Sequence, residues 1–450
     1  MTPRLPALVI GGGISGLVCA YALRKRGIEA QIVEAAPRPG GVIRSQRLEG
    51  FLLELGPQSF SATPQLRRLC SELGLDAELV QAPPQAPRYV LLNGALRKVP
   101  MNPVALLASS LLSLRTKWNF ARDVLGKSQP PDEDESVADF IRRKFGADLL
   151  DRLVGPFTSG VYAGDPERLS MRSAFPSVYE AEKSAGSVMR GMIRAAKARK
   201  QPRERPTLLT FREGNETLIR ALAANLGSAL CCGTRTIRVE SGGAAGLFNV
   251  TLKSNGEEKG LETERLVVAT PTDVAAELLK SVNPAFGEEL SGVQYAPVAI
   301  VSLGYRREDV GHPLQGFGFL VPRSAGLRVL GTVWNSSLFP KRAPQGYVLL
   351  TNFVGGATDP QAITLSPEGL FAAVHREISP LLSIREKPVF SNVQIYPRAL
   401  PQYNVGHSER LAKLEKLQRE TPGLRLVGNY LRGPSIGACV EQALAVEEAL

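Results

Sequence analysis

The chain has 450 residues, 44% of them apolar and 22% charged, which is the balance of a globular protein and not of a disordered or fibrous one. That length exceeds what a single core supports, so two or three domains are expected. Lysine and arginine outnumber aspartate and glutamate by 54 to 43, a net charge of +11. This suits an acidic substrate or an anionic membrane surface, whereas no zinc spacing, RNP-like run or aromatic-interleaved basic helix speaks for nucleic acid.

Ala7-Leu8-Val9-Ile10 has the length and apolarity of a strand and opens into Gly11-Gly12-Gly13-Ile14-Ser15-Gly16. A helix is expected to Arg26, closed by Gly27, and a second strand ends in Glu34. The spacing has a mechanism. Gly11 permits the tight turn, Gly13 lets a pyrophosphate approach the backbone, and Gly16 lets the helix pack on the strand. The helix N-terminus then faces the anion, and Glu34 stands where a carboxylate accepts ribose hydroxyls. Arg38-Pro39-Gly40-Gly41-Val42-Ile43-Arg44-Ser45 resembles the second fingerprint of the large FAD-binding oxidoreductases, in which the doublet Gly40-Gly41 turns close to the cofactor. Because Glu34 would repel the extra phosphate of NADP, the expected order is FAD, then NAD, then NADP.

Further along, Phe51 to Leu55 reads as a short strand before the Gly56-Pro57 turn, and Pro64 to Leu75 as a helix. Residues 88–99 read as a hairpin about Asn93-Gly94. Leu-, Arg- and Lys-rich helices are expected from 103 to about 205. Leu106–Trp118 is apolar and then basic. Between 183 and 205, Lys183, Arg190, Arg194, Lys197, Arg199, Lys200, Arg203 and Arg205 surround Val188, Met189, Met192 and Ile193. Such a stripe fits an anionic lipid surface and equally a solvated basic face over a packed stripe. Strands are expected near 207 and at 235–239, 248–252 and 264–269, with a helix of 218–226 among them. A strand-rich block follows from Pro297 to Val354. Then come a helix of 367–382, a strand at 424–427, the Gly428-Asn429 loop and a helix from Ile436. That helix still runs at Leu450, which fits a trimmed tail. The acidic run 132–135 and the Pro-rich stretch 82–87 read as linkers. Cys19, Cys70, Cys231, Cys232 and Cys439 form no CxxC pair and read as reduced thiols. The strand beginning at residue 7 leaves no room for a signal peptide, and no apolar run reaches the ~18–20 residues that span a bilayer. The histidines, His312, His375 and His407, show no metal spacing, so no metal site is expected.

Thr158-Ser159-Gly160-Val161-Tyr162-Ala163-Gly164-Asp165-Pro166 with Leu169-Ser170 resembles the signature of the oxygen-dependent protoporphyrinogen oxidase family. So do Ala174-Phe175-Pro176, Gly316-Phe317-Gly318-Phe319-Leu320-Val321-Pro322 and Pro401-Gln402-Tyr403-Asn404-Val405-Gly406-His407, making the likeness end to end. The resemblance implies an α/β chain with a Rossmann-like FAD-binding domain of the p-hydroxybenzoate hydroxylase/monoamine oxidase type. A mixed-sheet substrate domain and a helical membrane-binding insert accompany it. The expected division is 1–85, 206–271 and 416–450 for the flavin domain, 86–102 and 272–415 for the substrate domain, and 103–205 for the insert.

The implied activity is six-electron oxidation of protoporphyrinogen IX to protoporphyrin IX in haem biosynthesis, with O2 consumed and hydrogen peroxide released. Oxidation of coproporphyrinogen III, which has four propionates instead of two, is the alternative. Amine oxidation is more distant, since it would want an aromatic pair beside the flavin where the tail offers only Tyr430. The chemistry is expected at flavin N5, so no catalytic side chain is singled out. Matched residue by residue, cofactor contacts fall on Gly11, Gly12, Gly13, Ile14, Ser15, Gly16, Glu34, Ala35, Gly40, Gly41 and Val42. They continue at Gly56, Pro57, Gln58, Ser59, Val239 (through its backbone), Asn429, Pro434, Ser435 and Ile436. Arg88 matches the group that pairs with a propionate, Phe317, Leu320 and Phe353 match the apolar walls, and Gly160 joins the substrate set. His407 reads as structural. Gly437-Ala438 departs from the Asn-Asp or Pro-Asp of many relatives, so an acidic cap on the last helix is missing. The resemblance further implies a cytoplasmic protein held peripherally at the inner face of the cell membrane, with hand-off to a ferrochelatase and a homodimer as additional expectations.

Overall fold

The computed structural model describes residues 3–198, 207–242 and 246–446. Arg199, Lys200, Arg203 and Arg205 of the basic segment, and Leu450, lie outside them.

The strand Arg4–Ile10 is the axis of the first sheet. It runs parallel to Ala30–Glu34 on one side and to Glu257–Val268 on the other. Leu230–Cys232 extends the sheet beyond Ala30–Glu34, and Leu424–Leu426 pairs in parallel with Leu266 to Val268. Leu8, Val9, Ile32, Val33, Val267 and Val268 are buried, as a parallel sheet covered on both faces requires. Helices Ile14–Lys25, Glu216–Leu226 and Ile436–Ala445 pack over one face. Thr272–Leu279, Pro284–Ser291 and His407–Glu420 pack over the other. The polar first residues of Glu257–Val268 are exposed and carry no apolar pattern, which is why only its second half is legible. Its hairpin with Phe248–Ser254 turns at Asn255 (φ 51°) and Gly256 (φ 86°).

A second sheet has the order Phe390–Pro401, Tyr295–Arg306, Tyr347–Gly355, Val329–Val333, Gly318–Leu320, Arg88–Leu92 and Ala95–Val99. The 88–99 hairpin turns as expected at Asn93 and Gly94, both with positive φ, and joins this sheet by parallel pairing of Arg88–Leu92 with Gly318–Leu320. Helix Pro367–Leu382 buries one face of the sheet. Phe390–Pro401 has no clear alternation of burial; its long ladder to Tyr295–Arg306 makes it a strand.

Between residues 103 and 198 the chain is helical, with a core that includes Phe140, Phe145, Leu150 and Met171. Asp123 accepts hydrogen bonds from Ser187 Oγ (2.9 Å) and the Met189 N–H (3.0 Å), so it caps the helix Val188–Lys197. It also lies 2.5 Å from Lys144, which is 3.2 Å from the buried Glu182. Burial opposes ionisation of Glu182, but Arg143 and Ser128 hold its carboxyl down to about 2. Val104, Leu114, Trp118, Leu125 and Ile193 are exposed on this segment. Among the described residues no helix is long and apolar enough to cross a membrane. All five cysteines are free.

A buried polar knot ties the loop before Tyr347–Gly355 to two smaller sheets, the hairpin Ser45–Leu48/Phe51–Glu54 and the three-stranded sheet that contains Leu208–Phe211. Arg342, 1% exposed, donates from Nη1 to Glu54 Oε1 at 2.7 Å and from Nη2 to Thr210 Oγ1 at 2.5 Å. Glu54 also accepts from Ser45 Oγ (2.6 Å) and the Asn215 N–H (3.0 Å), and Asn215 donates to the Pro57 carbonyl. Burial pushes the Glu54 carboxyl above its ordinary value, against the pull of Arg342. Removing one member of such a pair strands the other charge. Arg342→Met should therefore cost about 3–5 kcal/mol, read as a lower urea midpoint of unfolding; an unchanged midpoint would show that the knot does not hold these segments together.

Candidate cofactor and substrate site

The glycine loop is built as its spacing suggests. Gly11 has φ +107°, a conformation that L side chains rarely adopt. A Cβ on Gly16 would collide with the Gly11 carbonyl, whereas one on Gly13 would meet nothing within 4 Å. The space above Gly13 is thus open at the start of Ile14–Lys25, whose first turn has no side-chain cap. Its N–H groups remain free for an anion. Glu34 accepts from the Gly12 N–H (2.6 Å) and the Ala36 N–H (2.7 Å), one bond per oxygen, which leaves lone pairs for a ribose. The Gly40 N–H donates to the Gly12 carbonyl at 2.7 Å, tying the glycine doublet to the phosphate loop.

These segments bound a groove of about 790 Å³, within the range of small-molecule sites. Of the residues expected to touch the cofactor, Gly11, Gly13, Ile14, Ser15, Glu34, Ala35, Gly40, Gly41, Val42, Pro57, Asn429, Pro434 and Ile436 line it. Gly12, Gly16, Gly56, Gln58, Ser59, Val239 and Ser435 do not. Gly16 and Gly56 serve close backbone approach, since a Cβ on Gly56 would collide with the Val42 carbonyl. Gln58 is a brace: its amide donates to the Glu54 and Gly56 carbonyls and accepts from Asn335. Ser435 caps Ile436–Ala445 by accepting from the Ala438 N–H at 3.2 Å, so the missing acidic cap has a neutral replacement.

Val239 is wholly buried in the core, and the groove is lined two residues earlier, by Thr234 to Ile237. The strand Thr234–Ser241 carries a bulge between Thr236 and Arg238. A bulge breaks strict alternation, which leaves Ile237 38% exposed while Val239 faces inward. Sequence reasoning also missed Thr270 and Pro271, although they end a parallel strand, where ligands of open α/β sheets bind. Tyr295 and Arg398 line the groove as well; the Arg398 guanidinium lies over the Tyr295 ring at 4.5 Å and 3.3 Å from Asp273. No local pattern announces them. Tyr403 is a further omission. Its hydroxyl donates to the Asn429 carbonyl and accepts from the Gly433 N–H at 2.8 Å. His407 stacks on Tyr403 at 4.6 Å, and burial pushes its imidazole down to about 4, so it is neutral near pH 7.

On the second sheet one rung crosses all seven strands: Gln394, Ile300, Phe353, Gly331, Leu320, Val90 and Arg97. Leu320 and Phe353 therefore share a face, with the side-chain-free Gly331 between them. Gly160, on the helix Gly155–Tyr162, sits over this face so closely that a Cβ would collide with the Leu320 side chain. Phe317 instead packs with Ala82, Leu338 and Phe339, and the Arg88 guanidinium lies over its ring at 5.4 Å. Partial desolvation lowers the pKa of Arg88, although its side chain still reaches solvent.

A glycine-loop groove at the carboxyl ends of a parallel sheet, facing a second mixed sheet, defines a dinucleotide-binding protein. The family profile described as flavin containing amine oxidoreductase matches residues 14–446. The chain is 36% identical to the chloroplastic protoporphyrinogen oxidase of Nicotiana tabacum over 98% of its own length and 85% of that protein. It is 30% identical to the coproporphyrinogen III oxidase of Bacillus subtilis (strain 168) over 98% and 97% of the two chains. A crystal structure from Exiguobacterium sp. 255-15, described as a candidate protoporphyrinogen oxidase, superposes with a TM-score of 0.82 at 24% identity, covering 100% and 98% of the two chains. The chain belongs to the protoporphyrinogen and coproporphyrinogen III oxidase family of flavin-containing amine oxidoreductases. It is an oxidoreductase with FAD as its cofactor, and the open space above Gly13, the free helix end and the Glu34 carboxylate fit that group.

The glycine geometry separates binding from folding. Gly13→Ala should leave the apoprotein's melting temperature unchanged and weaken FAD at least about tenfold by crowding the pyrophosphate. Gly16→Ala should lower the melting temperature itself. Equal FAD affinity for Gly13→Ala and wild type, by fluorescence titration, would remove Gly13 from the phosphate site.

Proposed function

We propose that the chain oxidises protoporphyrinogen IX to protoporphyrin IX, with O2 as final oxidant and hydrogen peroxide as co-product. The observation that carries this reading is the apolar face of Leu320 and Phe353, closed by Gly160 and bordered by the guanidinium of Arg88. FAD, when bound, supplies the two-electron acceptor that the reaction uses repeatedly until six electrons have left the macrocycle. The protein's residues hold and enclose the substrate. Leu320 and Phe353 offer dispersion contact to a wide apolar ring. Arg88 offers a planar fork to one propionate, and the helix Gly155–Tyr162 packs on Leu320 and shields that face from water. No strong base is required of the chain, because the pyrrole nitrogens stabilise the cation left by hydride loss and release the proton themselves. Amine oxidation is disfavoured by Tyr430, which is wholly buried in the core and absent from the groove.

The test is anaerobic mixing of the FAD-loaded protein with protoporphyrinogen IX and, separately, coproporphyrinogen III, following flavin absorbance and porphyrin fluorescence. Faster bleaching with protoporphyrinogen is expected. Faster bleaching with coproporphyrinogen would reverse the substrate assignment, and bleaching by a polyamine alone would overturn it.

The helical segment 103–198 serves, on this reading, as a peripheral membrane contact at the inner face of the cell membrane. Support comes from exposed Trp118, Leu114 and Ile193 beside exposed Arg194 and Lys197. Arg190 takes no part, since its guanidinium bonds the Val124 and Gly126 carbonyls. Replacing Arg194 and Lys197 together by Gln should weaken partition onto anionic vesicles by roughly an order of magnitude. Unchanged flotation would refute the assignment.

A further inference from the structure

Arg88 has a neighbour of the same kind. In the hairpin, Val90 pairs with Arg97 and Arg88 with Val99. Arg88 and Arg97 are thus diagonal neighbours on one face, their Cβ atoms about 7–8 Å apart. The opposite face of the hairpin, with Tyr89, Leu91 and Leu96, packs into the core beneath the sheet. Arg88 and Arg97 are both exposed on the other side. Among the described residues no carboxylate or hydrogen-bond acceptor engages either guanidinium; Arg88 has only the Phe317 ring. Two like charges this close, with no counter-anion from the chain, favour a dianion that spans both.

The rung fixes the scale. Arg97 ends the same rung that carries Leu320 and Phe353, two strands from Leu320, or about 10 Å at the usual strand spacing. Arg88 lies one strand from Leu320, across from Gly318. An apolar macrocycle packed beside Leu320 on this face would extend its edge toward both arginines at once.

We propose that Arg97 is a second carboxylate-binding residue of the substrate slot, so that Arg88 and Arg97 together hold the two propionates on adjacent pyrroles of one porphyrinogen. The inference rests on the porphyrinogen reading above. It adds that recognition needs two neighbouring carboxylates.

The test compares wild type, Arg97→Ala, Arg97→Lys and Arg88→Ala, all loaded with FAD, on protoporphyrinogen IX and on its uncharged dimethyl ester. Arg97→Ala should raise KM for the dicarboxylate by about tenfold to a hundredfold and leave KM for the diester unchanged. Arg97→Lys, which keeps the charge but loses the fork, should fall between. The KM for the dicarboxylate should drop in sensitivity to salt in Arg97→Ala. An unchanged KM for the dicarboxylate, or an equal rise for acid and ester, overturns the role of Arg97 while leaving that of Arg88 standing. Wild-type protein inactive on acid and ester alike overturns the porphyrinogen reading, and this inference with it.

Discussion

At the base of the whole arrangement is the buried Arg342–Glu54 pair, which ties the second large sheet to the two small sheets beside the glycine-loop domain. Glu54 belongs to the short strand just before the Gly56-Pro57 turn, and Thr210 and Asn215 belong to the segment that leads into Glu216–Leu226. Arg342 comes from the loop between two strands of the large sheet. One guanidinium thereby touches chain segments that are hundreds of residues apart. Burying a charge pair is costly unless every lone pair and proton is used. Here Ser45, Thr210 and Asn215 complete the set. Such a knot contributes more to relative position than to net stability.

A second tie joins the helical segment to the cofactor loop. Tyr403 packs against Tyr162 and His407, its carbonyl accepts from the Ser170 N–H, and its hydroxyl bonds both ends of the turn from Asn429 to Gly433. The motif that contains Tyr403 was recognisable in sequence, but its role was not. A tyrosine among apolar neighbours reads as core until its hydroxyl is seen to hold two backbone groups.

That contrast describes how far the sequence could be read. Local chemistry was legible: Gly11 to Gly16, Glu34, the Asn93-Gly94 hairpin and the helices 14–25 and 367–382 all announce themselves through turn residues and periodicity. What failed depends on partners far along the chain. Phe390–Pro401 is a strand because Tyr295–Arg306 pairs with it, and its own residues alternate poorly. The stretch 235–239 looked like a regular strand, and the bulge at Ile237 decides which residue meets the groove. Arg398 and Tyr295 reach the groove only because the second sheet abuts the first. Leu320 and Phe353 could be named individually as apolar wall residues, while their shared rung, with the side-chain-free Gly331 between them, emerges only from register.

Gly160 and Gly331 together seat one side chain. A Cβ on either would collide with the same Leu320 methyl group, so the leucine is wedged between the helix Gly155–Tyr162 and its own sheet. The pitch of that helix over the sheet is therefore set by two absent methyl groups, and adding either one would have to push helix and strand apart.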